Sequence, residues 1–160
     1  MSQYKNIIIV GTNNTDRSFM AEVVLHQLCM ENHLEDVEVV SRGLVVLFPE
    51  PVHPKAADVV REAGYAIRDF QASKLTDEDV KAADLILTIT AEEKEKVLKE
   101  FGEAISGEDK TIATLSEFAG AKVGIPDPYG KESEEYEICF VTIRHMIETC
   151  FDDKINNTKK

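Results

Sequence analysis

The sequence lacks tryptophan, contains only three cysteines, and has few basic residues for its length of 160. Its 18 Lys and Arg are outnumbered by 30 Asp and Glu, which gives a formal net charge of −12. Nucleic acids and anionic membrane surfaces are bound by basic surfaces, so this deficit argues against both as partners. No apolar run approaches the ~20 residues of a membrane-spanning helix, and the N-terminus shows no apolar leader.

The cysteines are scattered along the chain and odd in number. They form neither a metal-ligand spacing nor a disulfide framework, so we expect no metal site and a reducing, cytoplasmic environment. Cys139 and Cys150 fall in an apolar helical pattern and are expected to be small buried hydrophobic residues.

Aliphatic runs alternate with amphipathic segments along the chain, which indicates one α/β domain over residues 1–160, with residues 155–160 as a frayed tail. The order β-α-β-α-β-α-β-α predicts a three-layer α/β/α sandwich around a four-stranded parallel sheet. The sequence does not indicate an oligomeric state. The predicted strands are residues 5–10, 37–43, 85–89 and 111–115; the predicted helices are 17–31, 55–63, 91–101 and 132–151, and 103–109 is predicted as a polar turn.

The segment IIIVGTNNTDRS, residues 7–18, is the one around which the rest is organised. Four aliphatic residues predict a buried strand, Gly11 ends it, and a polar loop leads to Arg17 at the start of a helix. A helix N-terminus offers unpaired backbone N–H groups, and an arginine adds a fork suited to phosphate. In a parallel sheet ligands bind beyond the carboxyl ends of the strands. The segment therefore predicts a site for a phosphate- or sulfate-like oxyanion.

Two cofactor-binding motifs fit this loop less well. A Walker loop, G-x4-G-K-[ST], has the same length, but Asp16 and Arg17 stand where its second glycine and lysine would be. A flavodoxin loop is similarly rich in Thr and Asn, but no glycine- or aromatic-rich loops that would cover a flavin ring are evident. We therefore expect no cofactor.

A third motif fits much better. Residues 10–22, VGTNNTDRSFMAE, resemble the signature V-C-x5-R-S-P-M-A-E of low-molecular-weight protein tyrosine phosphatases. Three further segments are similar to that family, so the resemblance covers nearly the whole chain. Thr15, and the spacing through residues 101–117, look like the bacterial protein-arginine-phosphatase branch. The further segments are residues 41–43 (SRG), 82–90 (AADLILTIT) and 126–130 (PDPYG).

The resemblance implies a role for each residue of the site. In active relatives a cysteine thiolate attacks phosphorus, an arginine and loop amides hold the oxygens, and an aspartate acts as acid and then base. Mapped onto this sequence, Arg17 is the oxygen ligand, Asp127 the acid/base, and Gly11 stands at the nucleophile position. Phosphate would be held by Thr12, Asn13, Asn14, Thr15, Asp16, Arg17 and Ser18. The apolar and aromatic side chains of Leu47, Phe48 and Tyr129 either line the mouth of the crevice as substrate walls or pack on each other.

Departures from the family pattern decide what chemistry is expected. Gly11 has no side chain and cannot form a covalent intermediate. Asp16 adds negative charge beside the loop, where it could cap the following helix or fill the site itself. Phe70 stands where relatives often have a histidine that braces Asn14. Asn13 replaces a loop glycine and is compatible with the loop shape.

Three functions remain open on this sequence. The leading one is a pseudophosphatase that binds phosphate or a phosphorylated protein side chain without cysteine-based turnover. The second is a residual phosphatase for phosphoarginine or phosphotyrosine, in which Asp127 activates water. The third is an interaction module that has no anion site.

Overall fold

The computed structural model describes residues 2–106 and 109–156, and its elements follow the predicted alternation of strands and helices. The strands are β1 (Asn6–Gly11), β2 (Glu38–Gly43), β3 (Leu85–Thr88) and β4 (Thr111–Thr114). The helices are α1 (Arg17–Glu31), α2 (Pro54–Glu62), α3 (Asp77–Ala82), α4 (Ala91–Glu100), α5 (Gly102–Ile105), α6 (Leu115–Ala119) and α7 (Ser133–Cys150).

The four strands form one parallel sheet in the order β2-β1-β3-β4. Ile7 and Ile9 of β1 face a layer built by α1, α2, α6 and α7, whereas Ile8 and Val10 face a layer built by α3, α4 and α5. All four side chains are at most 4% exposed, and each such burial stabilises the fold by roughly 2 kcal/mol. This arrangement confirms the predicted three-layer sandwich. No helix within the described ranges is both long and apolar enough to cross a membrane.

Two short helices differ from the sequence prediction. The predicted polar turn at residues 103–109 is wrong at its start, because α5 occupies Gly102–Ile105 and buries Ala104. Residues 107 and 108 lie outside the described part of the chain. Helix α6 follows β4 without a break and begins with a capping box between Thr114 and Glu117. Helices of four or five residues are too short to show a helical period in the sequence.

The predicted frayed tail also begins too early. Beyond α7 the chain makes a π-helical turn over Phe151–Ile155, and Ile155 and Asn156 are both buried. The Asn156 N–H donates to the carbonyl oxygen of Phe151 at 2.8 Å. The side chains of Phe151 and Ile155 are buried in the core and hold this turn in place. Residues 157–160 lie outside the described part of the chain.

A crevice for ligands lies where the chain connections diverge. From the central strand β1 the chain crosses to β2 on one side, and it later returns to β3 on the other side. In parallel sheets the carboxyl edge at such a point is where ligands bind. Gly11 ends β1 at this edge and Thr88 ends β3 beside it. The loop of residues 12–16 and the N-terminus of α4 therefore meet at one place.

Candidate functional site

Asn14 holds the shape of the loop at residues 12–16. Its φ of 63° lies in the left-handed region, which asparagine tolerates better than most residues. Its side chain is buried and makes three hydrogen bonds to separate segments. The Nδ2 group donates to Ser18 Oγ at 3.1 Å and to Ser41 Oγ at 2.9 Å, and Oδ1 accepts from the Ser73 N–H at 2.9 Å. The loop is thus tied to α1, to β2 and to the segment after α2.

Phe70 does not take over the bracing role that a histidine has in relatives. Its ring packs against Phe19 of α1, with the ring centroids 4.9 Å apart. The acceptor oxygen of Asn14 is satisfied by the backbone N–H of Ser73, three residues further along. Phe70 therefore packs on α1, and the Ser73 main-chain N–H supplies the hydrogen bond to Asn14.

The backbone polarity of the loop favours an anion. The carbonyl oxygens of Gly11, Thr12 and Thr15 accept hydrogen bonds from the N–H groups of Leu44, Val45 and His53. In contrast, none of the backbone N–H groups of residues 12–16 donates to another atom in the described chain. The carbonyls are thus used elsewhere, while five consecutive donors are left without a protein acceptor. Successive free N–H groups beside a helix N-terminus are a recognised anion-binding arrangement.

Arg17 and Asp127 come together at the mouth of this loop. Arg17 Nη1 donates to the carbonyl oxygen of Ile125 at 3.0 Å, and Nη2 lies 3.8 Å from Asp127 Oδ2. The Arg17 side chain is 15% exposed and that of Asp127 is 63% exposed. Both line a cavity of about 210 Å³ together with the loop and Tyr129. The structure therefore places the predicted oxygen ligand and the predicted acid/base on one small cavity.

Asp16 both caps helix α1 and lines the cavity. Its Oδ1 accepts from the Arg17 N–H at 2.7 Å, so it caps α1 as one of the two predicted arrangements requires. The same residue also lines the cavity. The cap occupies the first N–H of the helix, and the carboxylate charge stays beside the loop, where it weakens the attraction for an anion.

Glu93 is a site residue that the sequence analysis missed. It is 3% exposed, although it lies in a helix that otherwise looks like a solvated surface. Its Oε1 accepts from the N–H groups of Ile89 and Thr90, at 3.1 and 2.8 Å, and Oε2 accepts from Thr12 Oγ1 at 2.8 Å. Glu93 also lines the cavity. The pattern T-x-x-E over residues 90–93, a capping box, was the available signal.

Gly11, the residue at the predicted nucleophile position, lines the cavity. A Cβ placed on Gly11 would be 2.9 Å from Ser18 Oγ and 3.1 Å from Ser18 Cβ. Ser18 thus stands close to the volume that a side chain at position 11 would need. Since the obstacle is the end of a short side chain that can rotate, the backbone itself does not exclude a larger residue.

The three cysteines lie in surroundings that do not activate a thiol. All three are buried, and burial raises the pKa to about 11 for Cys29, about 12 for Cys139 and about 11 for Cys150. For Cys139 the Arg17 charge opposes this rise, while Asp16 and Asp127 add to it. The thiolate is the reactive form, so none of these groups is an activated nucleophile.

The predicted wall residues surround a second, more open cleft beside the cavity. Leu47 and Phe48 line this cleft of about 600 Å³ and are 89% and 63% exposed, which is not the exposure of side chains that pack on each other. Tyr129 and Asn13 border both the cleft and the cavity. Thr15 faces the cleft rather than the cavity. The structure therefore brings these residues next to the candidate site without placing Leu47 or Phe48 inside it.

Tyr136 of α7 carries a buried hydroxyl without a hydrogen-bond partner among the described residues. The side chain is 0% exposed, and its ring stacks on His53 at a centroid distance of 5.1 Å. Burial, reinforced by the charges of Asp16 and Asp127, raises the pKa of Tyr136 to about 12. An unsatisfied buried hydroxyl costs roughly 1–3 kcal/mol.

We therefore expect Tyr136→Phe to leave the free energy of unfolding unchanged or to raise it by about 1 kcal/mol, as measured by urea denaturation. Tyr136→Leu, which also removes the stacked ring, is the control and should lower it. A clear loss of stability in the Phe variant would show that the hydroxyl has a partner, such as a buried water.

Comparisons with known proteins agree with the fold. The family model for low molecular weight phosphotyrosine protein phosphatase matches residues 6–160. The chain is 29% identical to a probable low molecular weight protein-tyrosine-phosphatase, EpsP, of Ralstonia nicotianae, over 90% of this chain and 92% of that protein. It is 32% identical to the protein-arginine-phosphatase of Bacillus subtilis, over 82% of this chain and 85% of that protein. The arginine phosphatase YwlE of Geobacillus stearothermophilus superposes with a TM-score of 0.80 at 27% identity, over 93% of this chain and 92% of that one. The chain belongs to the low molecular weight phosphotyrosine protein phosphatase family.

Proposed function

We propose that this protein is a pseudophosphatase: it binds phosphate, or a phosphorylated protein side chain, without cysteine-based turnover. The observation that carries this proposal is the loop of residues 12–16, whose carbonyls are engaged elsewhere while its N–H groups have no acceptor among the described residues. Arg17 borders the same cavity, and Gly11 offers no nucleophile. The oxygen-binding half of the phosphatase site is thus kept, and the attacking half is lost.

The charges around the cavity set the expected strength of binding. Arg17 is the one basic residue among those that line it, while Asp16, Glu93 and Asp127 are acidic. A cavity with this excess of carboxylates repels a free dianion more than an arginine and backbone amides alone would. We therefore expect an inorganic oxyanion to bind in the millimolar range. A phosphoprotein would gain further contacts in the neighbouring cleft, which Leu47 and Phe48 border.

A residual phosphatase activity is the second candidate, favoured by the position of Asp127. This carboxylate borders the cavity, is well exposed to water, and lies 3.8 Å from the arginine that would hold the phosphoryl group. It could activate a water molecule directly against a phosphoester or a phosphoramidate. The P–N bond of phosphoarginine, a phosphoramidate, is more labile than the P–O bond of a phosphoester such as phosphotyrosine. Three free cysteines suit a reducing compartment, and we propose a cytoplasmic location for either function.

The decisive experiment combines a binding titration with an assay on the same preparation. We expect phosphate to shift the NMR amide signals of residues 12–16 at millimolar concentration, and an aryl phosphate and phosphoarginine to remain unhydrolysed. Arg17→Ala should abolish the shifts, whereas Arg61→Ala, on the exposed side of α2, should not.

Each contrary result identifies another function. Turnover that Asp127→Asn removes would replace the pseudophosphatase with the residual enzyme. The absence of any oxyanion binding would leave an interaction module in which Asp16 has taken the place of the ligand.

A further inference from the structure

We propose that the cavity selects hydrogen phosphate, or a phosphomonoester in its protonated form, over sulfate, and that Glu93 is the residue that makes this selection. The inference rests on the proposed oxyanion-binding function and names the chemical form of the ligand. It comes from a buried carboxylate that lines a cavity otherwise built for an anion.

Glu93 is fixed in place as a hydrogen-bond acceptor. Two backbone N–H groups, those of Ile89 and Thr90, hold Oε1, and the Thr12 hydroxyl holds Oε2. An ionised carboxylate only accepts hydrogen bonds, and each of its oxygens has two lone pairs. Oε2 has a single donor among the described residues, so it keeps room for another. A ligand oxygen that carries a proton can supply that donor, whereas a bare anionic oxygen is repelled.

The Thr12 hydroxyl adds to the same preference. A hydroxyl has one proton to donate and two lone pairs that accept. Thr12 donates its proton to Glu93, so toward the cavity it offers lone pairs only. Two groups at one side of the cavity are therefore acceptors, while the N–H groups of residues 12–16 and Arg17 supply the donors. A tetrahedral anion with one hydroxyl and otherwise unprotonated oxygens matches both sets.

Phosphate and sulfate differ in whether one of their oxygens carries a proton that Glu93 could accept in a hydrogen bond. They have nearly the same size and shape, but inorganic phosphate still carries one proton as its dianion, whereas sulfate is fully ionised near neutral pH. A phosphomonoester keeps its proton only below a pKa of roughly 6. A ligand that donates a hydrogen bond to the Glu93 carboxylate is stabilised, whereas a fully ionised ligand is repelled by it. The difference corresponds to a ratio of phosphate to sulfate affinity of about 10-fold or more. The ratio of the phosphate affinity to the sulfate affinity therefore reports whether the Glu93 carboxylate accepts a hydrogen bond from the ligand.

Several other charged or titratable groups face the cavity or lie beneath it. The Asp16 carboxylate accepts a hydrogen bond from the Arg17 N–H. The Asp127 carboxylate is far more exposed to water than that of Glu93. A histidine that gains charge would strengthen phosphate and sulfate binding alike, so sulfate serves as an internal control for the pH dependence. The full set is Asp16, Arg17, Glu93, Asp127 and Tyr129 around the cavity, Tyr136 and Cys139 of α7, and His53 and Lys55 next to Tyr136.

The test is a titration of the full-length protein with inorganic phosphate, sulfate and an aryl phosphate, followed by NMR at about pH 6 and about pH 8. We expect phosphate to bind at least ~10-fold more tightly than sulfate at both pH values, because phosphate keeps a proton at both. The affinity for the aryl phosphate should fall as the pH rises above the second pKa of a phosphomonoester, roughly 6, while sulfate affinity stays constant. Glu93→Gln should reduce the selectivity to within about 2-fold and flatten the pH dependence, because the amide can donate to sulfate. Glu92→Gln removes the same charge from an exposed neighbour and should change neither property.

The outcomes separate this inference from the function on which it rests. Equal binding of the two ions by the unaltered protein overturns the role of Glu93 but leaves an oxyanion site. Failure of both ions to bind overturns the proposed function as well. Selectivity that survives in a folded Glu93→Gln variant, with folding checked by thermal denaturation, would show that another group accepts the proton. Even if that variant does not fold, equal binding of phosphate and sulfate by the unaltered protein overturns the inference.

Discussion

Gly11→Cys is expected to create phosphatase activity in a protein that we propose to have lost it. The new thiol would lie at the end of β1, beside free backbone N–H groups and the N-terminus of α1, which favour the thiolate. Arg17 and Asp127 already border the same cavity. We expect a gain of roughly 10³-fold in aryl phosphate hydrolysis, less than the roughly 10⁶-fold that a nucleophile contributes in an intact hydrolase site. The measurement is a steady-state assay with trapping of a phosphocysteine intermediate.

The expected gain is limited because the surroundings of residue 11 have changed. Ser18 Oγ would lie 2.9 Å from the new Cβ and has to rotate away, which weakens its bond with Asn14. The carboxylates of Asp16 and Glu93 oppose formation of a thiolate. Gly11→Ala is the matched control, since it adds the same Cβ without a nucleophile. A folded cysteine variant that remains inactive would show that Arg17 or Asp127 no longer works as in active relatives.

Asn14→Ala is expected to cause the largest loss of stability of any single change in the loop. Alanine in the left-handed conformation costs roughly 1–2 kcal/mol, and the two buried hydroxyls and one partly buried N–H that Asn14 now contacts would lose a partner. Each group left unsatisfied adds about 1 kcal/mol or more. We expect the free energy of unfolding to fall by about 3–5 kcal/mol in urea denaturation, with a decrease in melting temperature of roughly 10 °C.

Asn14→Gly separates the two causes of this loss. Glycine adopts a positive φ freely, so this variant loses the side-chain hydrogen bonds without the backbone cost. It should be more stable than the alanine variant by roughly 1 kcal/mol. If both variants were as stable as the unaltered protein, the hydrogen bonds of Asn14 to Ser41 and Ser73 would not contribute to the fold.

The sequence was sufficient for the fold wherever a pattern was long or strong. The aliphatic run of β1 and the alternation of strands with helices α1, α2, α4 and α7 predicted the parallel sheet, because a strand buried on both faces needs helices on either side. It was insufficient for α5, for α6 and for the turn at Phe151–Ile155. These short elements are held by a few tertiary contacts, as at Ala104 and Ile155, which no local period records.

The sequence predicts the motif residues of the candidate site but not the residues that hold the loop in place. The resemblance of two motifs to the phosphatase family predicts Gly11, Arg17 and Asp127 as site residues, and the structure places them around one cavity. Glu93 was missed because it lies among charged helix residues, and its burial depends on how α4 meets the loop in three dimensions. The contact from Ser73 to Asn14 was not predictable at all, since a backbone N–H has no signal in the sequence.

The engaged carbonyls of the loop bear on the entropy of binding. Gly11, Thr12 and Thr15 are each fixed through their carbonyl oxygens to the segment of residues 44–53. A loop held in this way is preorganised, so a ligand does not have to pay for ordering it. The same bonds anchor both ends of the segment that carries Leu47 and Phe48 to the loop. A phosphoprotein that contacts those two side chains would therefore meet a segment whose ends are already fixed beside the anion site.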